Sequence, residues 1–358
     1  MGPNLESNQQ TLKGGKAMTL NHLLSTQDLP LERARYLLDA ARAFFDYTHP
    51  KSSLIPSIQR AHTDQVIPLL ASKTVVNLFF ENSTRTRTSF EIATRRLGGS
   101  VLNFSAATSS TAKGETLVDT ALNLVAMAPH CLVVRHSASG APMTLSHRVS
   151  VPVINAGDGF HEHPTQALLD AFTLENKLGP LDGKHLLIVG DIAHSRVARS
   201  NIYLLKKLGM KITVCGPPTL LPPSPEGLGV SVCHRPEEAL GEVDAVMMLR
   251  IQLERQNKMQ IPSIAEYARY WGLSAKRAKL LKSNALILHP GPVNRGVEID
   301  PSVADDPRSE ILNQVSNGVV VRMAVLSQAI HPEGLQKWLL ENRSPRASLS
   351  PAQKGIKS

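Results

Sequence analysis

Aromatic side chains make up only 4% of the 358 residues. Proteins that grip single-stranded nucleic acid stack bases on such rings, so this scarcity argues against that function. Three cysteines, Cys131, Cys215 and Cys233, are too few and too widely spaced for a disulfide framework or a zinc knuckle. No metal site is expected. No run of 18 apolar residues is present, which excludes a helical membrane span. The N-terminal region lacks a basic start followed by an apolar core, the pattern of a secretory leader. The expectation is a cytoplasmic protein with no membrane or nucleic-acid partner. Lys and Arg together number 39 against 30 Asp and Glu, a net charge of +9 that favours small anions.

What is present suits two domains with sizeable cores, since 42% of the residues are hydrophobic. Short apolar runs at 74–80, 130–136, 185–191, 210–216, 243–250 and 284–290 read as buried parallel strands. Between them, 31–46, 89–99, 165–179 and 196–209 carry helical spacing, several ending at glycine. The expected fold is α/β, with two domains, each a mostly parallel sheet flanked by helices. Residues 1–17 read as a flexible arm and 341–358 as a flexible basic tail. The domains are expected at 18–164 and 165–304. A late helix at about 312–330 can close against either one.

In such sheets ligands collect at the carboxyl ends of strands. The polar clusters of this sequence sit at those ends. The first, at 79–91, reads FFENSTRTRTSFE. A helix beginning here offers free N–H groups and a favourable dipole to an anion. Ser83, Thr84 and Thr86 add hydroxyl donors, and Arg85 adds a two-pronged cation. The competing reading is an ordinary helix cap with surface arginines. The spacing is not that of a Walker A loop. Ser109 and Lys113, in SSTAKGETL, offer a weaker anion contact, and Arg135 ends the strand at 130–136. In NAGDGFHEHPTQALLD, Gly157 and Gly159 permit close backbone approach. His163 can donate to a carbonyl oxygen as charge develops, with Gln166 three residues on.

In the second half, GDIAHSRVARS follows a strand where a dinucleotide fingerprint would stand. Ile192 and Ser195 replace the glycines such a loop needs, so that match fails. Arg196 instead offers a fork for a carboxylate, and Arg250, with Gln252, offers a second one beyond the strand at 243–250. Together they suit a small dicarboxylate. The stiff turn HPGPVNRGVE can display backbone carbonyls from Gly291 and Pro292 to an amine, or can be a mere rigid connection.

Taken together, ENSTRTRTSFE, KGETL, HPTQALLD, GDIAHSRVARS, MLRIQLER and HPGPVNRGVEI resemble the aspartate carbamoyltransferases over about residues 20–330. The resemblance implies a carbamoyl-phosphate domain, joined by the returning late helix, and an aspartate-binding domain. It implies that Ser83, Thr84, Arg85 and Thr86 hold phosphate and that Arg135, His163 and Gln166 contact the carbamoyl group. Ser109 and Lys113 would reach into a neighbouring subunit's site. Arg196, Arg250, Gln252, Gly291, Pro292 and the incoming Lys113 would hold aspartate. Catalysis would fall to Arg85, Thr86, Lys113, Arg135 and His163, with no cofactor. Many members of the family have leucine where Gly291 stands. The resemblance further implies a homotrimer with shared sites. It is nearest to a larger bacterial form, which implies a dodecamer with six inactive dihydroorotase-like chains and a regulatory nucleotide. Three other readings stay open: a carbamoyltransferase acting on another amino acid such as ornithine, a nucleotide-binding oxidoreductase, and a non-enzymatic scaffold.

Overall fold

A computed structural model describes residues 20–49, 66–105, 115–251 and 263–342. Among the described residues, nine strands form two wholly parallel sheets. The first contains β1 (Thr74–Phe79), β2 (Ser100–Ser105), β3 (Cys131–His136) and β4 (Val153–Asp158), ordered β2-β1-β3-β4. The second contains β5 (His185–Val189), β6 (Lys211–Cys215), β7 (Ser231–Cys233), β8 (Ala245–Met248) and β9 (Leu286–Leu288), ordered β7-β6-β5-β8-β9. The expected two-domain α/β fold is what forms. Central strands are buried on both faces, which is why β1 is apolar from Val75 to Phe79 except for Asn77, itself buried.

Three strands were not foreseen. β2 follows Gly98 and Gly99 and carries Asn103, so it lacks a long apolar run; Asn103 Oδ1 accepts from the buried Asn77 Nδ2 of β1 at 2.8 Å. β4 holds Asn155, Gly157 and Asp158, a composition that signals a loop. Its polar atoms are satisfied internally, as burial demands. Asn155 Nδ2 donates to Leu24 O at 2.9 Å and to Asp158 Oδ1 at 2.8 Å. The three-residue β7 is too short to leave a pattern.

Helices cover both sheets. The ones that matter here are α1 (Leu31–Thr48), α2 (Thr84–Arg96), α3 (Leu117–Ala126), α4 (Ala141–Ser146), α5 (Pro164–Leu178) and α6 (Arg196–Lys207). Glycines close three of them at positive φ: Gly98 at 76° after α2, Gly179 at 73° after α5 and Gly209 at 91° after α6. The late helix, Ile311–Ile330, is buried over most of its circumference. Val319, Val320, Val321, Met323, Ala324, Val325 and Leu326 all lie inside. It packs along α1, α2 and α5, so the end of the chain returns to the first sheet. α5 also packs on α6, and one apolar core runs through this contact into the second sheet. The carboxyl ends of both sheets thereby face a common cleft. Among the described residues, no helix is long and apolar enough to cross a membrane.

Candidate functional site

A cleft of about 530 Å³ lies between the two sheets. Each strand end that borders it delivers one chemical element. β1 runs into Asn82 and Ser83, and α2 then opens with Thr84, Arg85 and Thr86. The helix starts five residues earlier than its apolar spacing predicts, because the motif itself forms the first turn. Ser83 stands at the N-cap, yet its side chain makes no capping bond. The first-turn N–H groups and the hydroxyls of Ser83 and Thr84 therefore remain available to a ligand in the cleft. Arg85 reaches across to the second half, where its Nη2 lies 3.5 Å from Pro290 O. Partial burial and the nearby Arg250 hold its pKa below the usual arginine value.

Arg135, at the end of β3, donates from Nη1 to Ala156 O at 3.0 Å and pairs through Nη2 with Glu81 Oε2 at 3.1 Å. The same carboxylate oxygen pairs with Arg196 Nη2 at 2.6 Å. Glu81 thus sits between one arginine from each half and fixes both. Burial, followed by Arg196, Arg85 and Arg322, pushes Arg135 down to about 8. Burial brings Arg196 to about 10. Gly157 is needed where these two arginines meet the chain. Its φ is +113°, and a Cβ there would stand 2.9 Å from Arg135 Nη1 and 3.1 Å from Arg196 Nε. Gly157→Ala is expected to displace both guanidinium groups. Activity should fall at least tenfold, and thermal denaturation should show a loss of roughly 1–3 kcal/mol from the strained backbone alone.

His163 caps α5, and its backbone N–H donates to Ser200 Oγ at 2.8 Å. Its ring is buried, and Nδ1 has no hydrogen-bond partner among the described residues. Burial first, then Arg135, Arg322 and Arg196, hold its pKa well below the ordinary histidine value, so the ring is neutral. A neutral imidazole can donate one hydrogen bond without adding a buried charge. The neighbouring His161 and Glu162 serve the loop instead. His161 Nδ1 lies 3.0 Å from Asp158 Oδ2. Glu162 accepts from Thr26 N at 2.7 Å and from Ser200 Oγ at 2.8 Å. Among the described residues, no group of three His, Cys, Asp or Glu side chains is placed to hold a metal.

From the second sheet come Arg196, at the start of α6, and Arg250, beyond β8. Ser195 caps α6 by accepting from Ala198 N at 3.1 Å, and Ile192 is buried, so neither residue leaves the glycine-lined space a dinucleotide needs. β9 leads into His289, Pro290, Gly291 and Pro292, which line the cleft opposite α2. The Gly291–Pro292 bond is cis, and Gly291 has φ +64° with Arg85 packed against it. Buried Glu298 ties this turn to the end of β8. It accepts from Asn294 N at 2.9 Å and from Ile251 N at 2.8 Å.

Five arginines line the cleft among the described residues: Arg85, Arg135, Arg196, Arg250 and Arg322. Such crowding of like charge is tolerable only beside anions, and Glu81 and Asp191 supply two. Cations thus outnumber acids along the cleft wall, which suits an anionic ligand. The two halves match known sequences in the order in which they occur. The carbamoyl-P binding domain of aspartate/ornithine carbamoyltransferase matches residues 21–176, and the Asp/Orn binding domain of the same family matches 182–329. The chain belongs to the aspartate/ornithine carbamoyltransferase family. The aspartate carbamoyltransferase catalytic subunit of Syntrophotalea carbinolica is 52% identical over 310 residues, covering 87% of this chain and 95% of that one. The catalytic subunit of Myxococcus xanthus is 52% identical over 311 residues, covering 86% and 98%. The aspartate transcarbamoylase of Trypanosoma cruzi in complex with N-(phosphonacetyl)-L-aspartic acid superimposes with a TM-score of 0.74 at 32% identity, covering 86% and 95%. The ornithine carbamoyltransferase of Pyrococcus furiosus gives 0.74 at 26% identity, covering 87% and 97%.

The carbamoyltransferase cleft gathers most of the side chains expected from sequence: Ser83, Thr84, Arg85, Thr86, Arg135, His163, Gln166, Arg196, Arg250, Gly291 and Pro292. Ser109, Lys113 and Gln252 lie outside the described residues. Two residues that shape the cleft went unrecognised in the sequence. Glu81 was legible only as an acid at the same strand end as the anion motif. Arg322 left a clearer mark, a lone charge in the apolar run VVVRMAV. It is buried, donates from Nη1 to Gly318 O at 3.0 Å, and lies 5.1 Å from the centre of the Phe90 ring.

Asp170, one turn beyond Gln166, is also buried, and burial raises its carboxyl from 3.8 to about 6. A raised carboxyl means that the folded state binds the extra proton. Its contribution to stability is full below the unfolded value and is lost as pH rises through about 6. Asp170→Asn should remove that loss. Between pH 4 and pH 7 the unfolding free energy of the wild type should fall relative to that variant by on the order of 3 kcal/mol. Urea denaturation at several pH values checks this; parallel curves would refute it.

Proposed function

We propose that this carbamoyltransferase joins carbamoyl phosphate to the α-amine of L-aspartate, giving N-carbamoyl-L-aspartate and phosphate for pyrimidine biosynthesis. The observation that carries the reading is the division of cations across the cleft. Arg85 stands at an open helix N-terminus, while Arg196 and Arg250 come from the facing sheet. The first arrangement suits a phosphate. The second suits the two carboxylates of aspartate and repels the side-chain ammonium of ornithine. The matching relatives include aspartate carbamoyltransferase catalytic subunits, which supports the same choice.

In this mechanism, carbamoyl phosphate binds against Ser83, Thr84, Arg85 and Thr86. The neutral α-amine attacks the carbamoyl carbon. Charge developing on the carbonyl oxygen is met by Arg135, neutral His163 and Thr86. Gln166 contacts the carbamoyl nitrogen, and carbonyls of the 291–292 turn accept from the attacking amine. Arg196, Arg250 and Gln252 hold the carboxylates. The C–O bond to phosphate then breaks, and the departing phosphate, steadied by Arg85, takes the amine proton. Approximation and prearranged charge account for the acceleration without a covalent enzyme intermediate. In a homotrimer, Ser109 and Lys113 would complete a neighbour's site. A dodecamer with six inactive dihydroorotase-like chains, a regulatory nucleotide and a cytoplasmic location belong to the same reading.

The test supplies labelled carbamoyl phosphate with aspartate or ornithine and separates the products. Carbamoyl-aspartate should dominate by more than a hundredfold, as expected where an unpaired or like charge is forced into a buried site. Citrulline as the main product would overturn the substrate assignment. Native mass spectrometry of the same sample should give a trimer or a multiple of it; an active monomer would refute the shared sites.

A further inference from the structure

Asp170 lines no part of the cleft, yet three side-chain amides converge on it. Gln166 Nε2 donates to Oδ1 at 3.0 Å, Gln314 Nε2 donates to the same oxygen at 2.7 Å, and Asn201 Nδ2 donates to Oδ2 at 2.8 Å. The three donors come from α5 itself, from the late helix and from α6. A carboxylate accepts and does not donate, so each amide must turn its nitrogen toward Asp170 and its oxygen away. The consequence is visible at Gln314, whose Oε1 accepts from His289 N at 3.0 Å. His289 opens the turn that carries Gly291 and Pro292, and its Nδ1 accepts from Gly291 N at 2.8 Å. Gln166 borders the cleft, and the same constraint leaves its Oε1 as the end turned to a ligand.

We propose that Asp170 is a positioning residue that sets the hydrogen-bond polarity of the cleft: it fixes Gln166 as an acceptor and, through Gln314, anchors the 289–292 turn. The proposal rests on the carbamoyl-transfer reading and adds a source of selectivity to it. An acceptor in that place recognises an acyl group bearing –NH2 and gains nothing from one bearing –CH3. Helical spacing makes the device compact, because Gln166 and Asp170 are four residues apart on one face of α5. A purely structural role, joining α5 to α6 and to the late helix, would leave this discrimination untouched.

The experiment compares carbamoyl phosphate as substrate with acetyl phosphate as competitive inhibitor, using the full-length chain in its native assembly. The readout is the inhibition constant of acetyl phosphate divided by the KM for carbamoyl phosphate. Asp170→Ala should lower this ratio roughly tenfold, the loss of about one oriented hydrogen bond. The fall should come mainly from a higher KM for carbamoyl phosphate. Asp170→Asn should recover most of the ratio. Its carbonyl oxygen can still accept from Gln166 and Gln314, while its nitrogen meets Asn201, whose buried Oδ1 has no hydrogen-bond partner among the described residues and can be turned toward it. In a Gln166→Ala background, Asp170→Ala should lower the ratio no further. If Asp170→Ala does not fold, Asp170→Ser, which leaves room for water, is read in its place. An unchanged ratio in a folded variant, or an equal second loss in the Gln166→Ala background, overturns the proposal. A wild-type chain unable to transfer a carbamoyl group would instead overturn the reaction on which it rests.

Discussion

Replacing Arg85 with alanine is expected to lower kcat about a hundredfold, since removing one contact to developing charge costs on the order of 3 kcal/mol. The loss should fall on kcat more than on the KM for aspartate, because the proposed mechanism sets Arg85 against the leaving phosphate and not the dicarboxylate. Its side chain is only partly covered, and its contact with Pro290 O is long at 3.5 Å, so the fold should tolerate its removal. Steady-state kinetics alongside a melting curve check both halves of this statement. Near-normal turnover in a stable variant would take Arg85 out of the reaction. Lysine should restore little, because a single ammonium does not reproduce a two-pronged grip on phosphate.

Replacing Arg196 with alanine should act on the other substrate. The KM for aspartate is expected to rise roughly a hundredfold or more, the usual scale for deleting one partner of a buried charged contact. Equilibrium binding of carbamoyl phosphate should change little. Arg196 is only 6% exposed, and its Nη2 holds Glu81 while its Nη1 lies 3.3 Å from Gly159 O. Its removal also takes away the 2.6 Å ion pair with Glu81, so some loss of stability should accompany the kinetic effect. Glu81→Gln separates the two causes. It keeps Arg196 but releases its orientation, and should raise the KM for aspartate by less than the alanine variant does. Equal effects of Arg196→Ala on both substrates would argue against a division of labour across the cleft.

The architecture was legible where burial and periodicity agree. β1, β3, β5, β6, β8 and β9 are apolar runs covered on both faces, and α1, α5 and α6 carry regular helical spacing. β4 was hidden because its polar residues bond to one another and to Leu24 O inside the fold, a compensation that no local pattern reveals. Most site residues were legible because a ligand-binding edge concentrates polar groups directly after apolar strands. Glu81 and Asp170 were not. Each works through partners distant in sequence: Arg196 lies 115 residues from Glu81, and Gln314 lies 144 from Asp170. An isolated acid beside a motif looks like any solvated acid until the chain is folded. Arg87 and Arg199 show the converse, since neither lines the cleft although each stands beside an arginine that does.

The return of Ile311–Ile330 to the first sheet bears on how the protein is made. During synthesis the residues of β1 to β4 emerge before the second sheet, but the helix that covers α1, α2 and α5 emerges after it. Folding that begins at the ribosome therefore cannot finish the first half before the second has left it. Until then the faces awaiting Val320, Met323 and Leu326 stay bare and sticky. A nascent chain stalled short of residue 311 should be a client for chaperones, whatever the state of its last-made sheet.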